Sequence, residues 1–196
     1  MDIPPRRIGR GDEPRRPQVQ FRADEQNTKP QKVVLELYNR TCPKSAAKFR
    51  ALCTGQLGTV DVEKGGETRE VKLHYRGCPF HRVLPGAFVQ AGDVVDGAGD
   101  SAAGDYLADE SFAVPFDRPG LLAFANDGPH RNNTQFYITL GPLEWLQKRS
   151  VAFGRVVKGM DAVRQVAGLK CVNERPVETT LVANCNVVNL KDGFGL

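Results

Sequence analysis

The sequence predicts a mainly β protein, a closed antiparallel barrel capped by helices, and three observations carry that prediction. Short β-rich runs bounded by turn residues recur along the chain, only two segments hold a helical period, and helices do not alternate with strands. A parallel sheet would need a crossover helix between most strands, and most gaps here hold none. The first ordered signal is Val19-Gln20-Phe21, followed by the polar stretch DEQNTKPQ and a β-rich run over 32–38, so the spacing predicts an antiparallel pair around a polar turn. Next, Thr41 offers a helix N-cap and Pro43 suits the first turn, where a missing N–H costs nothing. Ala46, Phe49 and Cys53 then recur at helical spacing and Gly55 closes the segment.

The stretch 56–72 is charged and glycine-containing, and reads as an inserted surface loop or exposed hairpin. Strands are predicted over 80–84, 88–91, 121–125, 135–140, 153–157 and 181–188. The second helix is predicted over Met160–Ala167, where Met160, Val163 and Val166 or Ala167 share a face ahead of Gly168. Residues 1–17 are rich in Pro, Arg and Gly without a hydrophobic period, which predicts a disordered arm ahead of a domain spanning 18–196.

At 196 residues, 40% hydrophobic and 26% charged, the chain has the balance of one globular domain, and wholesale disorder is excluded. It holds no apolar run near the roughly 18 residues of a membrane helix, and the arginines at the start lack the apolar stretch of a secretory signal. Net charge is +4, of which the first sixteen residues supply +2, from five arginines against three acids. The remaining body is nearly neutral, which argues against a broad nucleic-acid face. Cys42, Cys53, Cys78, Cys171 and Cys185 are odd in number and form no CxxC pair, so neither a zinc site nor a full disulfide framework is expected. A reducing setting, cytoplasmic or nuclear, follows. His74, His81 and His130 lack metal-ligand spacing, no GxSxG elbow occurs, and Gly97-Ala98-Gly99 lacks the lysine of a phosphate loop. Asp109 and Glu110 are adjacent, so in a strand they would face opposite ways. A Ser–His–Asp triad stays open from sequence alone, but the usual enzymatic constellations are missing, so an enzyme here is expected to need no nucleophile, metal or proton relay.

Two segments remain. Residues 80–93 read FHR-x-x-PG-x-x-x-Q-x-GD, and residues 125–139 read AN-x-GP-x-x-N-x-x-QF-x-I-T. Together with KSAAKFRALCTG and Glu144-Trp145-Leu146, they resemble the signature of the cyclophilin peptidyl-prolyl cis–trans isomerases over about residues 18–188. The resemblance implies an eight-stranded antiparallel barrel with a helix at each end, and a cofactor-free, metal-free, monomeric isomerase acting on proline-containing polypeptides in protein folding. Rotation about an X–Pro bond crosses a barrier of ~18–20 kcal/mol set by C–N resonance, so a catalyst need only favour the twisted amide. By the resemblance, Arg82 is the catalytic residue, its fork donating to the lone pair that the prolyl nitrogen gains on twisting. Phe88, Tyr137 and Leu146 would form the apolar proline seat, while Gln90 and Gln135 would hold substrate backbone or orient the arginine. Asn126, flanked by Ala125 and Asp127, would clamp the peptide, Gly97 would form a groove wall, and Trp145 would bind cyclosporin-type inhibitors.

The sequence departs from that pattern at the seat and its rim. Ala87 stands where phenylalanine is usual, Phe88 follows where methionine is common, Ser150 replaces a pocket histidine, and Asp127 adds a charge. A ring moved one place along a strand points the other way unless the chain shifts locally. Reduced or selective activity is therefore expected, with a non-catalytic, proline-peptide-binding adaptor in a larger complex as the competing reading. The 56–72 insertion resembles that of the divergent-loop cyclophilins, in which Cys53 and Cys185 would be a redox pair and Asp100 an approximate match to a loop-contacting acid.

Overall fold

The β-rich runs of the sequence become, in the computed structural model, one eight-stranded antiparallel sheet; the structure describes residues 16–23, 30–99 and 102–188. In chain order the elements begin with β1 (Arg16–Ala23), β2 (Gln31–Leu37), α1 (Pro43–Thr54), β3 (Thr59–Lys64) and β4 (Glu67–Lys72). They continue with β5 (Phe80–Leu84), β6 (Phe88–Ala91), β7 (Leu121–Asn126), β8 (Asn132–Thr139) and a 3₁₀ turn (Glu144–Leu146). The last are β9 (Ala152–Lys158), α2 (Met160–Ala167), β10 (Cys171–Val172), β11 (Arg175–Pro176) and β12 (Thr180–Val188).

The main sheet runs β12-β1-β2-β9-β7-β8-β6-β5, so the eight strands and their antiparallel sense match expectation, but the ladder is a half-barrel with two ends rather than a closed ring. At the open seam, Pro79 and Leu181 form an isolated bridge, Val182 N–H donates to Cys78 O at 2.9 Å, and Gly77 N–H donates to Val182 O at 2.8 Å. The seam lacks a ladder because β12 is met by residues 77–79, just ahead of β5, and not by β5 itself.

The concave face holds the main core. Phe49 of α1 plugs it, with ring centroids 5.2–5.4 Å from Tyr75, Phe136 and Phe153. Ala46, Phe49 and Cys53 are buried as the helical spacing predicts, joined by Leu52. The cap differs from expectation. Cys42, not Thr41, is the N-cap residue and makes no side-chain cap bond. Instead the Glu110 carboxylate accepts from Lys44 N–H (2.8 Å), Ser45 N–H (2.9 Å) and the Ser45 hydroxyl (2.9 Å). A carboxylate at a helix N-terminus satisfies orphan donors and complements the dipole. On α2, Ala162, Val163 and Val166 face the core.

The insertion is the exposed β3–β4 hairpin, and its tip is tied down by Lys64, which pairs with Asp96 at 2.6 Å. β1 starts at Arg16, inside the span expected to be an arm; residues 1–15, residues 24–29, where a polar turn was expected, Asp100 and residues 189–196 lie outside the described residues. Among the described residues, no helix is long and apolar enough to cross a membrane.

Candidate active site

The convex face carries a row of side chains set by strand register. Arg82 on β5 is paired with Gln90 on β6, Gln90 with Tyr137 on β8, and Tyr137 with Ala123 on β7. The row depends on an irregularity between Phe80 and Arg82. Phe80 and Val83 both point into the main core, three residues apart, which a regular strand does not allow. The extra residue turns Arg82 outward, as bulges beside functional sites commonly do.

A cleft of about 480 Å³ lies over one end of this row. Of the sequence-predicted residues, Arg82, Gln90, Ala125, Asn126, Asp127 and Gln135 line it. Gln90 Nε2 donates to Gln135 Oε1 at 2.8 Å, and Gln135 Nε2 donates to Gly99 O at 3.0 Å. The two glutamines therefore brace each other and the cleft wall. The arginine has another partner: its Nε donates to Glu174 Oε2 at 2.6 Å, and its Cζ lies 5.4 Å above the Phe88 ring.

Phe88, Tyr137 and Leu146 do come together, but under the arginine rather than in the cleft lining. They are 5%, 4% and 8% exposed and pack with Phe116 and Leu143 into a second apolar cluster. No local shift is needed: Phe88 lies two residues before Gln90 in β6 and so shares its face, and the register through Val83–Val89 and Leu84–Phe88 is unbroken. The ring thus fills the seat. Ser150 is buried beside it; Asn126 Nδ2 donates to Arg149 O at 2.8 Å and reaches the Ser150 hydroxyl at 3.5 Å. The Tyr137 hydroxyl is buried with no hydrogen bond of ordinary geometry among the described residues, although Ser150 is near enough to lower its pKa slightly; burial wins and pushes it well up.

Two expected positions, Gly97 and Trp145, fall outside this cleft. Gly97 lines a separate cleft of about 470 Å³ with His74, Arg76 and Cys78, and the wall of the Arg82 cleft is formed by Ala98 and Gly99 instead. The cause is local: at φ 72° Gly97 turns back onto Pro79, leaving no room for a Cβ. Trp145 is 54% exposed on the 3₁₀ turn and does not line the Arg82 cleft. Cys53 and Cys185 are buried free thiols at the far side of the sheet. A hydrogen bond from Cys53 lowers the Cys185 pKa, burial raises that of Cys53, and Cys185 Sγ lies 3.9 Å from His74 Nδ1.

Sequence reasoning missed four residues in the cleft wall. Tyr106 lies under Arg131, with Cζ 4.9 Å above the ring and a 3.2 Å bond from Nη2 to the hydroxyl. His81 is 6% exposed, neither ring nitrogen has a hydrogen bond of ordinary geometry among the described residues, and burial lowers its pKa. The fourth is Glu174. Only its place in a two-residue hairpin turn marks it in the sequence.

An arginine-fronted cleft thus lies on the convex face of an eight-stranded antiparallel sheet, with glutamine and asparagine along its floor. The chain belongs to the cyclophilin family: the family model described as cyclophilin type peptidyl-prolyl cis-trans isomerase/CLD matches residues 22–187. Curated relatives named "Probable inactive peptidyl-prolyl cis-trans isomerase-like 6" are similar to it. The Bos taurus protein is 40% identical over 77% of this chain and 48% of its own length. The Homo sapiens protein is 38% identical over 74% and 46%, and the Mus musculus protein 37% over 80% and 49%. The chain thus spans about half the length of the curated relatives it matches.

Proposed function

We propose that this domain binds proline-containing polypeptides in the Arg82 cleft and accelerates rotation about their X–Pro bonds at a reduced rate. The observation that carries this is the register row Arg82–Gln90–Tyr137 beside a peptide-sized cleft. A guanidinium fixed at the rim can donate to the pyramidal prolyl nitrogen and gains little from the planar ground states, which is the preference that catalysis requires. Gln90 and Gln135 hold substrate backbone, and Asn126, between Ala125 and Asp127, clamps the extended strand. The reduced rate follows from the seat: with Phe88, Tyr137 and Leu146 at most 8% exposed, a pyrrolidine ring must displace Phe88 to enter. That burial favours a second reading, a peptide-binding adaptor without turnover, and the names of the relatives agree with it.

The test is the cis–trans exchange rate of a short Ala-Pro peptide with wild type and Arg82→Ala side by side. Acceleration lost in the variant supports catalysis; binding with no acceleration supports the adaptor. We further propose binding of cyclosporin-type inhibitors at Trp145, a monomer in a cytoplasmic or nuclear setting, and completion of the barrel across the Pro79–Leu181 seam. Cys53 and Cys185 are proposed as a redox pair, tested by mass spectrometry after mild oxidation; a failure to find the Cys53–Cys185 bridge rejects it.

A further inference from the structure

The short hairpin between β10 and β11 turns on Asn173 and Glu174, with φ of 51° and 65°. Two successive left-handed residues are the signature of a type I′ turn, whose second position ordinarily falls to glycine because a Cβ is strained there. Here it is a glutamate. The turn is also fastened to both sides of the cleft. Val83 N–H donates to Glu174 O at 2.7 Å, and the Arg175 guanidinium donates to Ala98 O. From this clamped backbone the Glu174 carboxylate reaches Arg82 Nε at 2.6 Å, and both residues line the cleft. Strain retained at a non-glycine residue beside a site points to a use for its side chain.

We propose that Glu174 is a built-in restraint on Arg82, a positioning residue whose carboxylate occupies the guanidinium until a bound peptide displaces it. The proposal rests on the reading that Arg82 acts on the peptide. Its sign follows from charge. A guanidinium already paired with a carboxylate offers a weaker positive field to a developing lone pair, and freeing it costs the pair. Its size follows from exposure. The two side chains are 45% and 40% exposed, and ion pairs so open to water are worth at most about a fivefold factor. The restraint therefore slows the site without shutting it.

The experiment compares Glu174→Gln, which keeps the side chain's length and removes its charge, with Glu174→Gly, which restores the residue the turn prefers. An Ala-Pro peptide is titrated by NMR, giving its affinity and its cis–trans exchange rate together. Both variants are expected to raise affinity, and any exchange rate present, by about two- to fivefold. The gain is expected to vanish when Arg82→Ala is added, which a change in turn stability alone would not do. Unchanged or lower values in Glu174→Gln, or a gain that persists without Arg82, overturn the restraint while leaving the role of Arg82 intact. If Arg82→Ala by itself alters neither rate nor affinity, the reading of Arg82 falls and the restraint falls with it.

Discussion

Phe88 and Tyr137 lie with ring centroids 5.0 Å apart and planes tilted at 39°, with the Arg82 guanidinium over the Phe88 ring. The contact shows how the seat is filled while its arginine stays in place. Ala87 brings no ring of its own, and Phe88, on the face it shares with Gln90, fills the seat from below. Shortening that side chain is expected to reopen it. Phe88→Leu is predicted to cost on the order of 1–2 kcal/mol in denaturant unfolding, since part of a buried ring is lost. Affinity for a proline peptide is predicted to rise at the same time. Lower stability with unchanged affinity would mean that the seat is not what limits binding.

Much of the architecture was legible because it is local. The period of Ala46, Phe49 and Cys53 fixed the buried face of α1, and the β-rich runs located the strands. What was not legible is long-range or depends on a single irregularity. The irregularity at Phe80–Arg82 decides which way Arg82 points, and nothing in FHRVL announces it. Glu174 meets Arg82 across 92 residues of chain, and Glu110 caps α1 from 65 and 66 residues away. Such pairings are set by the tertiary fold, so periodicity carries no trace of them. β10 and β11, two residues each, are too short to give any alternation.

The Tyr137 hydroxyl is a polar group buried without a hydrogen bond of ordinary geometry among the described residues. A donor in that condition costs about 1–3 kcal/mol of desolvation, so Tyr137→Phe is predicted to stabilise the domain by about 1 kcal/mol. The same burial pushes the phenol's pKa up from its ordinary 10.0. Between pH 10 and the raised folded value the native state binds the extra proton. Stability from this group is therefore complete below pH 10 and falls as pH rises beyond it. Tyr137→Phe should flatten that alkaline loss in pH-dependent unfolding. Tyr75, also buried and also raised, leaves a residue of it.

Glu110 is predicted to be structural rather than catalytic. Its carboxylate accepts two backbone N–H groups and one hydroxyl at the start of α1, and Glu110→Ala leaves all three unmet by it. A loss of about 1–2 kcal/mol in unfolding free energy is expected, the scale of a lost N-cap with its dipole contribution. A second readout separates this from a general packing defect. The Cys42 thiol, pushed up to about 11 by burial first and Glu110 second, should titrate lower in the variant. An unmoved thiol together with unmoved stability would remove the capping role.

His81 makes the cleft wall sensitive to acid. It is 6% exposed, and burial lowers its pKa from the ordinary 6.5; Arg175 adds to the lowering, while Asp93, Gln135 and the Pro79 backbone pull the other way without winning. A depressed histidine binds its proton more readily when unfolded. Its contribution is therefore full above pH 6.5 and drains away as pH falls below that value, at up to about 1.4 kcal/mol per pH unit. His74, also depressed, adds to the slope, with burial the main cause and Lys72 and Arg76 assisting. Carboxylates titrate mostly below about pH 5, so the window from 5 to 6.5 isolates the histidines. The expected result is a falling denaturant midpoint across that window in wild type and a shallower fall in His81→Gln. The remainder belongs to His74 and should disappear only in the double variant. Equal slopes in wild type and His81→Gln would show that the imidazole is solvated in the native state, and the closed wall between β5 and the Gly99 turn would then have to be redrawn.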